Sequence, residues 1–224
     1  NSGFITFAEM KNPQLSILNF THEKMREVVL KETSPLRLKI LHKHAAGVLA
    51  QDKRAITKSA VIADHYLAGG DIYQAFHWYL KAADYAWVLG VKEDAEQGFR
   101  KAEGLYLADS EGLFDNDDII ALYEQWSQFA YLTYQIEMLE ETGIKLRVLG
   151  EQNTNLLFLG ISQIVLADAC FLRFHFDIGL EMIEQAIMNL NPTTNRAALM
   201  QAYARQCRFF WWKLQFEDTL KAAN

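Results

Sequence analysis

The sequence predicts a mainly α fold, with a short N-terminal β-hairpin followed by an α-solenoid of antiparallel helix pairs. Three observations predict it. The first twenty residues contain two β-rich runs, "GFITFAEM" and "LSILNF", separated by "KNPQ". From Thr21 onward the apolar spacing is helical almost throughout. Within that helical part, small residues recur at fixed offsets between bulky ones, as closely approaching helices require.

Taken in order, Asn12-Pro13 is a turn signal between the two β-rich runs and predicts the hairpin. Thr21 is placed to cap a helix whose apolar stripe is Met25, Val28 and Val29. Ser34-Pro35 starts the next helix, with serine as the cap and proline at the first helical position. Leu38, Leu41, Ala45, Val48 and Leu49 mark its expected buried face. Gly69-Gly70 stops a later helix, because glycine accepts the left-handed backbone of a C-terminal cap, and Asp71 caps the one after it. Ala63, Ala75, Ala82, Ala83, Ala86, Ala95 and Ala102 alternate there with Tyr66, Tyr79 and Phe99. The acidic run "DNDD" at 115–118 lacks the alternation and terminal glutamate of a calcium loop, and reads as the cap of a helix beginning near Asp117.

A search for internal repeats lines up Ala63, Ala75, Tyr79 and Ala82 with Ala167, Gly179, Ile183 and Ala186. More loosely, it adds Ala130 with Thr142, Leu146 and Leu149, and Ala204 with Phe216, Leu220 and Ala223. Ala130, Ala167 and Ala204 stand 37 residues apart. This pattern resembles the tetratricopeptide repeat over residues 55–224, although the usual unit is about 34 residues. The signature Trp-Leu-Gly-Tyr start of that repeat is poorly kept.

A second resemblance lies in the order of segments. Phe20, His22, Arg26 and Glu27, then Arg37, Leu41 and His42, then Ala63, His65 and Tyr66, then Gly70, Asp71 and Ala75 resemble the region after the ATPase module of bacterial STAND-type signalling ATPases. Those include multidomain transcriptional regulators and ATPases linked to cyclases or kinases. The resemblance implies that residues 1–52 are the C-terminal part of a winged-helix-like domain, a β-hairpin plus two helices. It implies that 53–224 are a tetratricopeptide-like helical repeat domain cut at its C-terminal end. No Gly-x-x-x-x-Gly-Lys-Ser/Thr loop occurs, so no nucleotide-binding residue carries over.

Composition bounds the remaining functions. Half the residues are apolar and 22% are charged, an ordinary globular balance that 224 residues can fold around a core. The formal net charge is -6 without a basic stripe, which argues against nucleic-acid binding. The apolar runs are too short for a membrane span. "NSGFITFAEM" has neither a secretion signal nor an initiator Met, so an internal segment of a longer cytoplasmic protein is expected. The two cysteines, Cys170 and Cys207, occupy the same slot of successive repeats and are expected as free, mostly buried thiols.

Candidate chemistry is sparse. His22-Glu23 opens a zincin-like motif, but the fifth position is Arg26, which cannot ligate zinc. His22 therefore reads as a capping residue, and no metal or cofactor is expected. His65 and His77 are placed to face one another, and His175 shares a packing slot with Met138 and Trp212. No nucleophile–base pair or spaced carboxylate pair suggests catalysis. The aromatic-rich stretches "QFAYLTY" and "RQCRFFWWKLQF" lie on first helices of repeats, which in the tetratricopeptide resemblance line the concave face. Counting from the small anchors puts Tyr131, Tyr134, Asp168, Phe171, Arg205, Arg208 and Phe209 on or near that face. The expected role is a non-catalytic sensor and protein-interaction region, coupling a protein partner or another domain of the same polypeptide to the ATPase. Two other readings stand beside it: a receptor for a sugar-like or peptide-like effector, and a passive scaffold recruiting a partner to a cyclase or kinase.

Overall fold

A computed structural model describes residues 5–8, 17–20 and 23–223, with side-chain surroundings for 24 and 27–214. The described residues are mainly helical. Strands β1 (Ile5–Ala8) and β2 (Ile17–Phe20) pair antiparallel, Ile5 opposite Phe20. The Asn12-Pro13 turn, the Thr21 cap and His22 lie outside the described residues. The chain divides into two compact units, Asn1–Tyr85 and Ala86–Asn224. The expected boundary after residue 52 falls in the turn between α2 and a short 3-10 helix, Ala55–Lys58.

In the first unit, helix α1 spans Glu23–Glu32 and α2 spans Pro35–Ala50. Ser34 caps α2 as expected, its hydroxyl accepting from the Arg37 amide at 3.3 Å, with Pro35 in the first turn. Helix α3 is Ser59–Ala68. It packs on α2 so closely that a Cβ at Gly69 would lie 3.0 Å from the Lys43 backbone nitrogen. This docking sets which face of α2 is covered. Ala46 is buried, and Leu38, His42, Ala45 and Leu49 are half-buried around it. Leu41 and Val48 were expected on that face but are exposed. Val28 and Val29 of α1 are exposed too, so they do not form a covered stripe.

Helix α4 (Ile72–Val88) begins at the Gly70-Asp71 turn, where Gly70 has φ +79° and Asp71 accepts from the Gln74 amide. Ala63, Ala75, Ala82, Ala83, Ala95 and Ala102 are all buried, while Ala86 is half-buried.

The second unit continues with α5 (Lys92–Leu107), α6 (Asn116–Leu132), α7 (Ile136–Gln152), α8 (Leu156–Leu172), α9 (Phe176–Leu190) and α10 (Arg196–Ala223). Asp115 caps α6 in a reciprocal capping box with Asp118, which accounts for the acidic run. Successive helices run antiparallel. Gly143 and Gly150 of α7 meet Leu166 and Leu159 of α8, and Gln163 of α8 bonds Gln185 and Asn189 of α9.

One turn is used repeatedly. Asp71, Val91, Gln135, Asn155 and His175 each donate their amide to the carbonyl five residues back, at 2.8–2.9 Å. The residue before each has positive φ: Gly70, Gly90, Tyr134, Thr154 and Phe174. This is the Schellman C-cap, and it leads directly into the next helix. From α6 on, helices start at 116, 136, 156, 176 and 196, so the period is 20 residues per helix and 40 per pair. The 37-residue spacing of Ala130, Ala167 and Ala204 is thereby corrected. Each step falls three residues short of the true register, a rotation of about 60° around the helix. Ala130 and Ala167 remain buried, but by the second step Ala204 has rotated into solvent. The same shift separates the cysteines. Cys170 is half-buried near the end of α8, whereas Cys207 is exposed in the middle of α10, contrary to the expected pair of buried thiols.

Candidate binding site on α6, α8 and α10

Alternate helices of the second unit share a face. α6 touches α8, and α8 touches α10, with α7 and α9 as the intervening antiparallel neighbours. Each of the three is held at its start by a polar cap: Asp115 for α6, Asn155 for α8, and Asn195, which accepts from the Ala198 amide at 2.9 Å, for α10.

Asp168 of α8 is the centre of the shared face and is 5% exposed. Burying a carboxylate is costly unless it is paired and hydrogen-bonded, and two arginines from α10 supply the pairing. Arg205 lies 3.4 Å from Oδ2 through both Nε and Nη2, and Arg208 donates through Nη2 to Oδ1. The Nη1 of Arg208 also donates to the Tyr131 hydroxyl of α6 at 3.0 Å, so the cluster spans all three helices. The Arg208 guanidinium sits 4.2 Å from the centre of the Phe171 ring and 5.2 Å from that of Tyr131, within cation–π range. Its Nε is buried and has no acceptor among the described residues. Burial pushes the Tyr131 hydroxyl above the usual phenol range, with the charge of Arg208 opposing it.

A cleft of about 540 Å³ opens beside this cluster. Its wall on α6 is Glu124, Gln125, Gln128 and Tyr131; Ile161, Ile164 and Asp168 line it from α8, and Gln201 and Arg205 from α10. Burial raises the carboxyl of Glu124 above its ordinary value, while nearby Arg205 and a hydrogen bond from Gln201 partly offset this. A second cleft of about 230 Å³ adjoins the first at Tyr131 and Leu132. Tyr134, Phe171, Phe174, Phe176 and Trp212 make most of its wall. Its rings meet edge to face, Phe171 against Trp212 at 80° and Phe174 against Phe176 at 84°.

Five of the seven face residues expected from sequence, Tyr131, Asp168, Phe171, Arg205 and Arg208, thus meet in one cluster. Tyr134 stands apart on the rim of the aromatic cleft, 76% exposed. Phe209 is not a face residue. It is 1% exposed and fills the space left by Gly179 of α9, where an added Cβ would lie 2.4 Å from its ring. Sequence reasoning missed Glu124, Gln125, Gln128, Gln201 and Phe174. A signal for the first three existed: with Ala121 and Tyr131 they form a helical stripe opposite the buried Leu122, Trp126 and Phe129.

The histidines resolve differently from expectation. His65 meets His42 of α2, Nδ1 to Nδ1 at 2.8 Å, rather than His77. The side chain of His77 packs edge-on against Tyr73 and Phe76 of its own helix. Burial lowers the His65 pKa, and the His42 charge adds to that. His175 is exposed at the start of α9 and does not pack. Among the described residues no three His, Cys, Asp or Glu side chains gather as metal ligands, and no helix is long and apolar enough to cross a membrane. Comparison with protein-family models, with curated proteins and with solved structures finds no match to this chain.

Proposed function

We propose that this chain is a non-catalytic binding module whose partner occupies the face formed by α6, α8 and α10. The observation that carries this reading is the convergence of Tyr131, Phe171, Asp168, Arg205 and Arg208 from three helices beside an open cleft. Such a cluster places charged and aromatic groups where an occupant meets them, and Gln128 and Leu132 leave the rim accessible. In this reading the helix pairs form a tetratricopeptide-like solenoid, and the module is the sensor or interaction arm of a cytoplasmic bacterial STAND-type ATPase. Residues 1–52 are then the end of its winged-helix-like domain. Occupancy of the cleft alters the ATPase only if the partner binds two domain arrangements with different affinity.

The reading is tested by cross-linking mass spectrometry on the parent protein in lysate of its source cells, compared with its Gln201→Ala/Arg205→Ala variant. Cross-links to a partner or another domain are expected along α6, α8 and α10 and are lost in the variant. Cross-links confined to other helices, or unchanged in the variant, overturn it. A receptor for a small effector is the second reading, favoured by the 540 Å³ volume, which lies in the range of small-ligand sites.

A further inference from the structure

Helix α10 carries a second exposed face, separate from the cluster around Asp168. Met200, Tyr203, Cys207, Phe210, Trp211 and Leu214 are all exposed. Their three- and four-residue spacing places them in one stripe, on the opposite side of the helix from the buried Ala202 and Phe209. The charged residues of the same stretch are engaged off the stripe: Arg205 and Arg208 pair with Asp168, and Lys213 reaches Asp177 of α9. The stripe is therefore uncharged along its whole length, with Met200 70%, Trp211 57% and Leu214 60% exposed. A contiguous apolar patch of this kind marks an interaction surface rather than a solvated face.

The preceding copy of this helix shows what such a stripe packs against. Moving back by the 40-residue period puts Met200, Tyr203, Cys207 and Phe210 at Gly160, Gln163, Ala167 and Cys170 of α8. Three of those positions meet the antiparallel helix α9, and Ala167 is fully buried. A Cβ on Gly160 would lie 2.4 Å from Leu190, Gln163 bonds Gln185 and Asn189, and the Cys170 sulfur is 4.0 Å from that of Met182. The stripe on α10 is thus a helix-packing face whose natural counterpart is an antiparallel helix. Helices α6, α7 and α8 end at 132, 152 and 172, a period that would end α10 near 212. Instead α10 runs for 28 residues to Ala223, straight through the position where a turn would swing a following helix onto the stripe.

We infer that the occupant of the stripe is α10 of a second copy of this chain, packed antiparallel about a two-fold axis at Cys207. The stripe is symmetric about that residue: Tyr203 and Trp211 stand four positions to either side of it, Met200 and Leu214 seven. Tyr203 of one copy then faces Trp211 of the other, and Met200 faces Leu214, so one patch serves both copies, as an isologous dimer requires. No unpaired charge is buried in the contact. The area suffices. Each half-exposed aromatic offers about 100 Å², and with Met200, Cys207 and Leu214 the stripe offers on the order of 600 Å² per copy, about 1,200 Å² in all, above the roughly 1,000 Å² a specific interface needs. Arg205 and Arg208 lie about 100–160° round the helix from Cys207. The α6, α8 and α10 face stays open in the dimer, and the inference does not depend on what binds there.

The test is sedimentation equilibrium of the whole chain at concentrations up to about 100 μM, where a dimer with a micromolar Kd is expected. Copper-phenanthroline oxidation of that dimer is expected to link Cys207 to Cys207, identified by peptide mapping. Met200→Glu and Leu214→Lys change exposed residues and spare the fold, as circular dichroism checks, and each is expected to weaken the dimer at least tenfold. Combined in one chain, the two new charges face each other across the axis, and the dimer is expected to be at least tenfold tighter than with either alone. A monomer at every concentration, a dimer untouched by both single variants, or a double variant no tighter than the singles overturns the inference. So does oxidation that leaves Cys207 unlinked. In the parent protein, a cross-link from Cys207 to another helix of the same polypeptide would show the stripe covered within one chain and overturn it too.

Discussion

Glu103 and Asp168 are two buried carboxylates in the same unit, and they are furnished differently. Glu103 of α5 accepts from the Tyr123 hydroxyl at 2.9 Å and from Lys145 at 2.8 Å, with Trp126 beneath the lysine. Lys145 also reaches Glu141 at 2.8 Å. Burial pulls the Lys145 pKa down, but hydrogen bonds to Glu103 and Glu141 outweigh it and hold the ammonium above its ordinary value. Asp168 instead faces two guanidinium groups, one of which has a buried Nε with no acceptor among the described residues. The first cluster braces α5, α6 and α7. The second holds a donor unmet among the described residues, beside a cleft, an arrangement that stability alone does not favour. Local imperfection of this kind is expected where a fold also has to bind.

The largest test of that contrast is removal of each carboxylate. Asp168→Ala leaves two half-buried arginines without their counter-ion and is expected to cost about 3 kcal/mol, read as the urea midpoint of unfolding. Glu103→Ala is expected to cost about half as much, because Lys145 keeps Glu141 and is 31% exposed. Equal losses would dissolve the distinction between the two sites.

Removing the cations sharpens it further. Lys145→Met strands Glu103 with Tyr123 alone and is expected to cost about 2 kcal/mol. Arg208→Met leaves Asp168 paired with Arg205, removes the orphaned Nε and keeps the packing on Phe171. Its expected change is within about 1 kcal/mol. A cost for Arg208→Met equal to that of Lys145→Met would mark Arg208 as an ordinary structural brace.

These contrasts also show which parts of the molecule were legible in the sequence. Ser34-Pro35, Gly69-Gly70-Asp71 and the acidic cap of α6 were, because a cap is decided by residues within one turn of it. The 20-residue period was not. It is written in three turns whose left-handed residue is Tyr134, Thr154 or Phe174, where turn chemistry looks for glycine. Aligning small residues gave 37 instead. The error of three residues is nearly one helical turn, so the predicted faces of α6, α8 and α10 still overlapped the real one. Tyr131, Asp168, Phe171, Arg205 and Arg208 were therefore found, while Phe209, at the edge of the rotated face, belongs to the core. Glu124 and Gln201 lie about two turns further along the same faces, beyond the aromatic stretches that drew attention to the site.

The turns give a smaller test. Gly90→Ala puts a Cβ at φ +78° and is expected to cost about 1 kcal/mol, with the neighbouring helices unchanged by circular dichroism. Phe174→Asn, which suits the left-handed backbone better, is expected to raise stability by about 0.5 kcal/mol while weakening any ligand of the aromatic cleft. Loss of stability in Phe174→Asn would mean that the ring is held there by packing.

The smallest effect belongs to Glu124 and depends on pH. Burial raises its folded pKa above the ordinary 4.5, with Arg205 and Gln201 only partly opposing it, so folding favours the protonated carboxyl. The associated stability is fully present below pH 4.5 and is lost as pH rises through the folded value. At neutral pH the ionised side chain is therefore a cost that Glu124→Gln removes. The variant is expected to match the parent at about pH 4 and to exceed it by about 0.5 kcal/mol at about pH 7. A melting difference that stays constant between those two pH values would show that Glu124 is already satisfied.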